Sequence, residues 1–410
     1  MKKLLLVLLI LSLFINHLNA NEKDLNIIQK DKKEYRLLDK ESIQTRQQSQ
    51  KYDWISPIDL SGNIGRNHSF SDENSRNLNN KNTKSASIGF TQSIFESGGI
   101  GFKMDYADNR FKYEMLSWEN QNSQLIYTIY NTLLDIKKLK LEINQNEYRI
   151  VNKDIELIIK KIQYEAGKTD IIELNNAIMS KNLILKEEIA LKNSLKEKEQ
   201  ELAKYTDLKY DEIEILDFQE TNKDIFLDKN YSILEADAKV EMLNSEYKIK
   251  KSQYLPKLSL SAKASYSNQD EKFNSMINDT NKDDATSSGS LILSMPLYDY
   301  TKSSKIQESK IEVLKQKALV NDLKNETAFE YEQIFTKIDT YLKQNETINK
   351  NIKLYEELIG ANQISSEAGM TSKYDLEILE NTKTINEFDI LINKINILQQ
   401  YAKLYFKIKN

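Results

Sequence analysis

Residues 165–174 read EAGKTDIIEL, and residues 367–376 read EAGMTSKYDL. The two stretches share Glu-Ala-Gly-x-Thr and a Leu seven places after the Gly, and they lie 202 residues apart. Upstream of the first, no Gly and no Pro occurs between Lys103 and Ala166. Such a run predicts one helix of about 96 Å at about 1.5 Å per residue. The matching run, Lys302 to Ala368, holds a single Gly, Gly360. Gly is the natural residue for a tight reversal between two helices. Thr169 or Thr371 is placed to cap the returning helix.

Outward from these turns, two further matches keep the same order. Ile58-Asp59-Leu60-Ser61 matches Leu258-Ser259-Leu260-Ser261 at an offset of 200, and Ser93-Ile94-Phe95-Glu96 matches Pro296-Leu297-Tyr298-Asp299 at 203. Three ordered matches at nearly one spacing identify a tandem duplication of a unit of roughly 200 residues. The fold class is mainly α with a small β part, each repeat supplying a strand hairpin and very long helices. Residues 1–20 read as a signal peptide, with Lys2 and Lys3, an apolar run from Leu4 to Ile15, and Ala20 near the cut. An uncleaved signal anchor is the alternative. The first repeat is 21–228, with strands at about 57–66 and 85–95 and helices at about 24–52, 100–166 and 170–205. The second is 229–410, with strands at about 257–267 and 289–297 and helices at about 229–253, 302–368 and 372–408. The strands rest on period-2 sets such as Leu258, Leu260, Ala262, Ala264 and Tyr266. Pro57 and Pro256 stop the preceding helices. The polar stretches 67–84 and 268–289 read as loops, and 207–228 as a loop with short structure.

The helix faces carry a second message. Tyr127, Leu134, Leu141, Tyr148, Ile155 and Ile162 recur at sevens, and so do Ile129, Ile136, Ile143, Ile150 and Leu157. The two series lie about 200° apart around a helix. Opposed stripes predict a neighbour on each side, as in the wall of a tube; a helix on one core needs one stripe. In the second repeat, Tyr331, Ile334, Ile338, Tyr341, Ile348, Ile352, Tyr355 and Ile359 form one seam, interrupted by Asn345.

Composition excludes several chemistries. The chain has 410 residues but only 10 Gly and 3 Pro, against about 29 and 20 expected from average usage. Cysteine is absent and only His17 and His68 supply imidazole, so thiol and His-metal chemistry are excluded. No P-loop, HExxH or GxSxG pattern occurs. The reading is therefore a non-enzyme that binds no cofactor. A formal charge of −4 argues against nucleic acid as the partner. Beyond residue 20 no run of about 18 apolar residues offers a membrane helix. Strands remain as the membrane element. Four per chain cannot close a barrel, whose smallest form has about 8, so copies must associate if the strands enter lipid.

The stretches Tyr254-Leu255-Pro256-Lys257-Leu258-Ser259-Leu260 and Ser294-Met295-Pro296-Leu297-Tyr298-Asp299, with the two Ala-Gly-x-Thr turns, resemble the TolC-like outer-membrane efflux proteins. The resemblance covers nearly the whole mature chain. It implies a homotrimer whose 12-stranded β-barrel in outer-membrane lipid continues as a periplasmic α-helical barrel. It implies a passive duct of a tripartite efflux or type I secretion system, joined through a periplasmic adaptor protein to an inner-membrane transporter. It places Ala166, Gly167, Lys168, Thr169, Ala368, Gly369, Met370 and Thr371 at the adaptor-docking end. It places Glu173 and Asp375, six positions past each Gly, at the tunnel constriction. Near the strand starts, Trp54 and Tyr254 are candidate aromatic anchors at the membrane interface. Two departures stand out. Tyr300-Thr301 replaces the glycine pair present at Gly98-Gly99, and Thr371 stands where some members carry an Arg that latches the closed end. The lead-in helix before the first strand is also shorter than usual in the family. A structural coiled-coil protein of the cell envelope is the rival reading; it has no use for four amphipathic strands.

Overall fold

A computed structural model describes residues 25–69, 79–216, 218, 220–270, 282–367 and 372–409. The signal sequence and the turn 368–371 lie outside the described residues. A short 3-10 turn, Leu25–Ile27, leads into α1 (Lys30–Tyr52), β1 (Asp59–Ser69), β2 (Asn79–Phe95), α2 (Gly99–Glu165) and α3 (Ile171–Leu202). After these come α4 (Lys223–Asp228), α5 (Tyr231–Ser252), β3 (Lys257–Asp270), β4 (Lys282–Ser294), α6 (Lys302–Glu367) and α7 (Lys373–Lys407). The two lead-in helices are nearly equal, 23 residues in α1 and 22 in α5. No described helix is long and apolar enough to cross a membrane. The chain divides into two compact units, Met1–Lys40 with Leu116–Leu234 and Asn321–Asn410, and Glu41–Met115 with Glu235–Val320.

The second unit contains one antiparallel sheet in the order β1-β2-β3-β4. Its strands run further than alternation alone predicts. The 79–84 and 282–288 stretches, read from sequence as loop, are paired strand. Ladder bonds join backbone groups, so Asn, Lys and Ser extend the pairing after the apolar alternation has ended. At the other end β4 stops at Ser294, short of the expected 297. Pro296 has no N–H to donate to a ladder. The two hairpins share one register: Leu60 pairs with Ile88, and Leu260 with Leu291.

The first unit is a single layer of helices. The segment of α2 beyond Leu116 lies between α3 and α7, and both of its apolar series meet a neighbour. Leu134 and Ile155 of one are buried, as are Ile129, Ile136 and Ile143 of the other. Toward α3 it holds Asn146 Nδ2 on the Ile184 carbonyl at 3.3 Å and Lys198 against Asp135 at 3.3 Å. Helix α6 packs on α7 through the one expected seam, where Ile334 and Ile338 are buried with Phe226, Leu404 and Ile408. Asn345 interrupts that seam with a purpose: its Oδ1 accepts from Asn393 Nδ2 at 2.9 Å. Helices α3 and α6 are thus the margins of the layer. Within this unit α1 is strapped to α2 by Arg36, whose Nε donates to Asn122 Oδ1 at 2.6 Å, while Trp118 Nε1 donates to the Arg36 carbonyl at 2.8 Å.

The α2–α3 reversal has the geometry its sequence dictates. Lys168 N–H reaches back to the Gln163 carbonyl at 2.8 Å and Gly167 N–H to the Tyr164 carbonyl at 2.9 Å. This pair of bonds is the Schellman closure, which needs a left-handed residue. Gly167 supplies it at φ +66°, with open space where a Cβ would stand. The helix caps lie one residue later than the threonines named from sequence. Asp170 accepts from Glu173 N–H at 2.9 Å, and Ser372 accepts from Tyr374 N–H at 3.2 Å. The Schellman turn uses up the residues through Lys168, so the first extended position able to cap is beyond Thr169.

Gly167→Ala is expected to cost about 1–2 kcal/mol, the penalty for a Cβ in the left-handed region, with no steric addition. Thermal unfolding measures it, and Gly167→Asn should recover part of the loss. A second expectation concerns Glu330. Burial alone would raise its pKa, but hydrogen bonds from Lys403 and Lys407 outweigh burial and hold the carboxyl below its ordinary value. Its folded value lies below the unfolded one. The stabilisation is therefore present above the unfolded value and is lost as pH falls through the folded value. Glu330→Gln should lower stability by about 1 kcal/mol near neutral pH, allowing for partial exposure. The difference from the parent chain should vanish in acid; a pH series of melting curves checks this.

Candidate functional site

Two regions hold the residues singled out from sequence. At the hairpin end, Ala166, Gly167 and Lys168 are exposed and Thr169 is half-buried. Ala368, Gly369, Met370 and Thr371 lie outside the described residues. Exposed apolar side chains adjoin the first turn: Ile171 and Ile172 on α3 and Ile162 on α2. Glu173 and Asp375, equivalent in sequence, differ in surroundings. Glu173 Oε2 meets Lys160 Nζ at 3.0 Å, so its charge is balanced within the chain. Asp375 is exposed in the first turn of α7 and makes no side-chain hydrogen bond or ion pair among the described residues.

Sequence reasoning missed the interface that joins the two helical hairpins. Asn131, Lys138, Gln145 and Asn152 recur at sevens along α2, and each is bonded to α7. Gln399 Nε2 donates to Asn131 Oδ1 at 3.3 Å, and Lys138 Nζ to Asn396 Oδ1 at 3.4 Å. Gln145 Nε2 donates to Asp389 Oδ1 at 2.6 Å, and Asn152 Nδ2 to Thr382 Oγ1 at 3.3 Å. The signal was present as polar residues at heptad spacing on α2, answered by Thr382, Asp389 and Asn396 on α7. Apolar periodicity does not register it, because none of these residues is apolar.

The sheet has two unlike faces. On one, the cross-strand rows are Phe95–Leu258–Leu293, Gln92–Leu260–Leu291, Phe90–Ala262–Gly289, Leu60–Ile88–Ala264–Ser287 and Gly62–Ala86–Tyr266–Ala285. None of these rows carries a charge. Leu60 is 79% exposed and Leu293 72%. The next row outward, Ile64–Lys84–Asn268–Asp283, brings the first charges. From Leu258 to Tyr266 the uncharged face spans about 26 Å of strand at about 3.3 Å per residue. The other face is a set of hydroxyl rows. Ser61 and Ser87 are hydrogen-bonded at 2.8 Å, Thr91 and Ser261 at 3.0 Å, and Ser265 and Thr286 at 2.8 Å.

The two aromatic candidates are not alike. Trp54 is half-buried, and its carbonyl accepts from Gln92 Nε2 at 2.9 Å. Tyr254 is buried, with Lys302 Nζ 5.4 Å from its ring centroid. The most exposed rings at this end of the sheet, among the described residues, are Tyr298 and Tyr300, at 85% and 86%. They come directly after β4, within the Ser294–Asp299 stretch and just past it.

Known proteins share this geometry. Residues 224–403 match the outer membrane efflux protein family. No curated protein sequence matches the chain at a significant level. Among solved structures, the outer membrane protein VceC of Vibrio cholerae is 12% identical, with a TM-score of 0.73 over 94% of this chain and 93% of that one. The outer membrane channel CmeC of Campylobacter jejuni is 12% identical, with a TM-score of 0.70 over 92% and 84%. The outer membrane channel MtrE of Neisseria gonorrhoeae is 11% identical, with a TM-score of 0.67 over 91% and 85%. At such identities the likeness is one of fold, mostly helical with a small antiparallel sheet. Residues 224–403 thus carry the match to the outer membrane efflux protein family, and the chain shares the fold of TolC-like outer-membrane channels over more than nine-tenths of its length.

Proposed function

We propose that the protein is an outer-membrane efflux channel, a passive homotrimeric duct of a tripartite efflux or type I secretion system. The sheet lies in outer-membrane lipid and the helices extend it in the periplasm. The observation that carries this reading is the sheet itself: a charge-free apolar face, an opposite face of hydroxyl rows, and an edge strand at either side. A membrane barrel alternates apolar outward and polar inward residues over a band about 25 Å tall. Three copies supply twelve strands. The margins of the helical layer repeat the requirement. On α3, Ile172, Met179 and Leu183 are exposed on the side away from α2, and on α6 so are Leu354 and Leu358. A structural coiled coil would need neither the two-faced sheet nor apolar margins on both outer helices.

The turns at the hairpin ends, with Ile171 and Ile172 beside the first, are the docking surface for a periplasmic adaptor, which joins the duct to the inner-membrane transporter that supplies energy. Asp375, repeated around the axis, forms the ring of negative charge at the tunnel constriction. Such a ring favours cations and repels anions. Glu173 contributes less, because Lys160 already balances it.

Membrane fractionation should recover the protein as a trimer released only by detergent; a soluble monomer would sink the duct. In a planar bilayer, Asp375→Asn should reduce cation preference without lowering trimer yield. Unchanged selectivity would remove Asp375 from the constriction.

A further inference from the structure

The internal repeat makes it possible to derive how one copy joins the next. An offset of 200 carries β1 onto β3, and 203 carries β2 onto β4. The sheet obeys both offsets. Ser61–Ser87 becomes Ser261–Ser290, Gly62–Ala86 becomes Ala262–Gly289, and Asn67–Lys81 becomes Ser267–Asp284, each an observed pair. The chain therefore contains one hairpin twice in one register. It also contains one junction between hairpins, β2 against β3. The matching junction, β4 against β1, is absent within the chain because these strands are the two edges.

We infer that β4 of one copy pairs antiparallel with β1 of the next, in the register that the β2–β3 junction dictates. This rests on the trimeric reading above and adds the partner residues to it. Applying the two offsets to Ile88–Ala264 gives Leu291 against Ile64. Phe90–Ala262 gives Leu293 against Gly62, Thr91–Ser261 gives Ser294 against Ser61, and Gln92–Leu260 gives Met295 against Leu60. Beyond the β-bulge, Phe95–Leu258 sets Tyr298 against Ile58.

Two independent observations agree with this register. First, face parity is preserved. Leu291, Leu293, Leu60 and Ile64 all belong to the apolar face, and Ser61 belongs to a hydroxyl row. A slip of one residue would turn every side chain of one strand to the wrong face. Second, the residues brought together are among the most exposed apolar groups of the chain: Leu60, Ile64, Leu293, Ile58 and Tyr298. Their equivalents at the internal junction are more covered. Leu258, the counterpart of Ile58, is half-buried, as is Phe90, the counterpart of Leu293.

The chain has no cysteine, so an introduced pair reports one contact. Full-length Ser61→Cys/Ser294→Cys is oxidised in outer membranes and run on a non-reducing gel. Directly paired strand residues lie within disulfide reach. A two-residue slip adds about 6.6 Å along the strand, which removes them from it. The expected result is a ladder of covalent dimer and trimer for this pair and for Asn63→Cys/Ile292→Cys, and none for Asn63→Cys/Ser294→Cys or Asp59→Cys/Ser294→Cys. The single variants, which should reach the membrane at parental levels, control for folding. Crosslinking through a slipped pair alone would overturn the register while leaving the trimer standing. No crosslink from any pair in a chain that sediments as an oligomer would overturn edge pairing. A monomer in detergent would overturn the duct as well.

Discussion

Every feature of this protein answers to the backbone of two strands. The outer rows of N–H and C=O groups on β1 and β4 have no partner strand within the sheet. In water such edges invite adventitious pairing, and in lipid each unmet group costs several kcal/mol. A chain with a charge-free apolar sheet face cannot leave them open. The helical layer states the same requirement in another form, since α3 and α6 carry apolar side chains on their free sides. Closure by identical copies satisfies both with one symmetry operation. Two unmet edges of complementary register on one molecule generate a ring when the rotation closes.

Much of this could be read from the amino acids, and the reasons differ by element. The reversal at Gly167 was legible because a Schellman turn demands a left-handed residue, and among coded residues Gly meets that demand without strain. The two-sided burial of α2 was legible because two heptad series, Leu134 with Ile155 and Ile129 with Ile136, cannot share a face. The strand ends were not legible. Asn79 to Lys84 and Lys282 to Ser287 pair through ladder bonds and polar side chains, as at Ser265–Thr286 and Asn268–Asp283, and carry no apolar alternation to announce it. Nor was Tyr254 legible, since its burial under Lys302 depends on the path of the chain between β4 and α6. Glu173 and Asp375 occupy equivalent positions in sequence. Only the packing of α2 against α3 reveals that Lys160 reaches one of them.

The departure from strict repetition after β2 and β4 also has a physical basis. After β2 the chain turns through Ser97 and Gly98, both at positive φ, and Gly99 packs so closely that a Cβ would stand 2.8 Å from Ser252 Oγ. After β4 the described residues include no positive φ. There Asp299 accepts from both the N–H and the hydroxyl of Thr301 at 2.8 Å and starts α6 by side-chain capping. The glycine pair is needed where the turn presses on a neighbouring helix of the same chain. At Tyr300-Thr301 no glycine is required, and the ring of Tyr300 is left uncovered.

The interface between the two helical hairpins adds a polar row to its apolar contacts. The α6–α7 seam buries Ile334, Ile338 and Leu404 with Phe226 of α4, whereas α2 meets α7 through packed rings, such as Tyr130 on Phe406 and Tyr148 near Phe388, and beside them a row of amides, a hydroxyl, an amine and a carboxylate. Apolar burial is proportional to area and indifferent to small shifts. Hydrogen bonds depend on distance and angle, so a ladder at heptad spacing fixes register more sharply than it adds stability. Each rung contributes about 0.5–1.5 kcal/mol net, because water offers nearly equivalent partners when it opens. The polar row therefore aligns the hairpins, while the packed rings beside it hold them together. The heptad row Asn131, Lys138, Gln145 and Asn152 marks where the register between the hairpins is set.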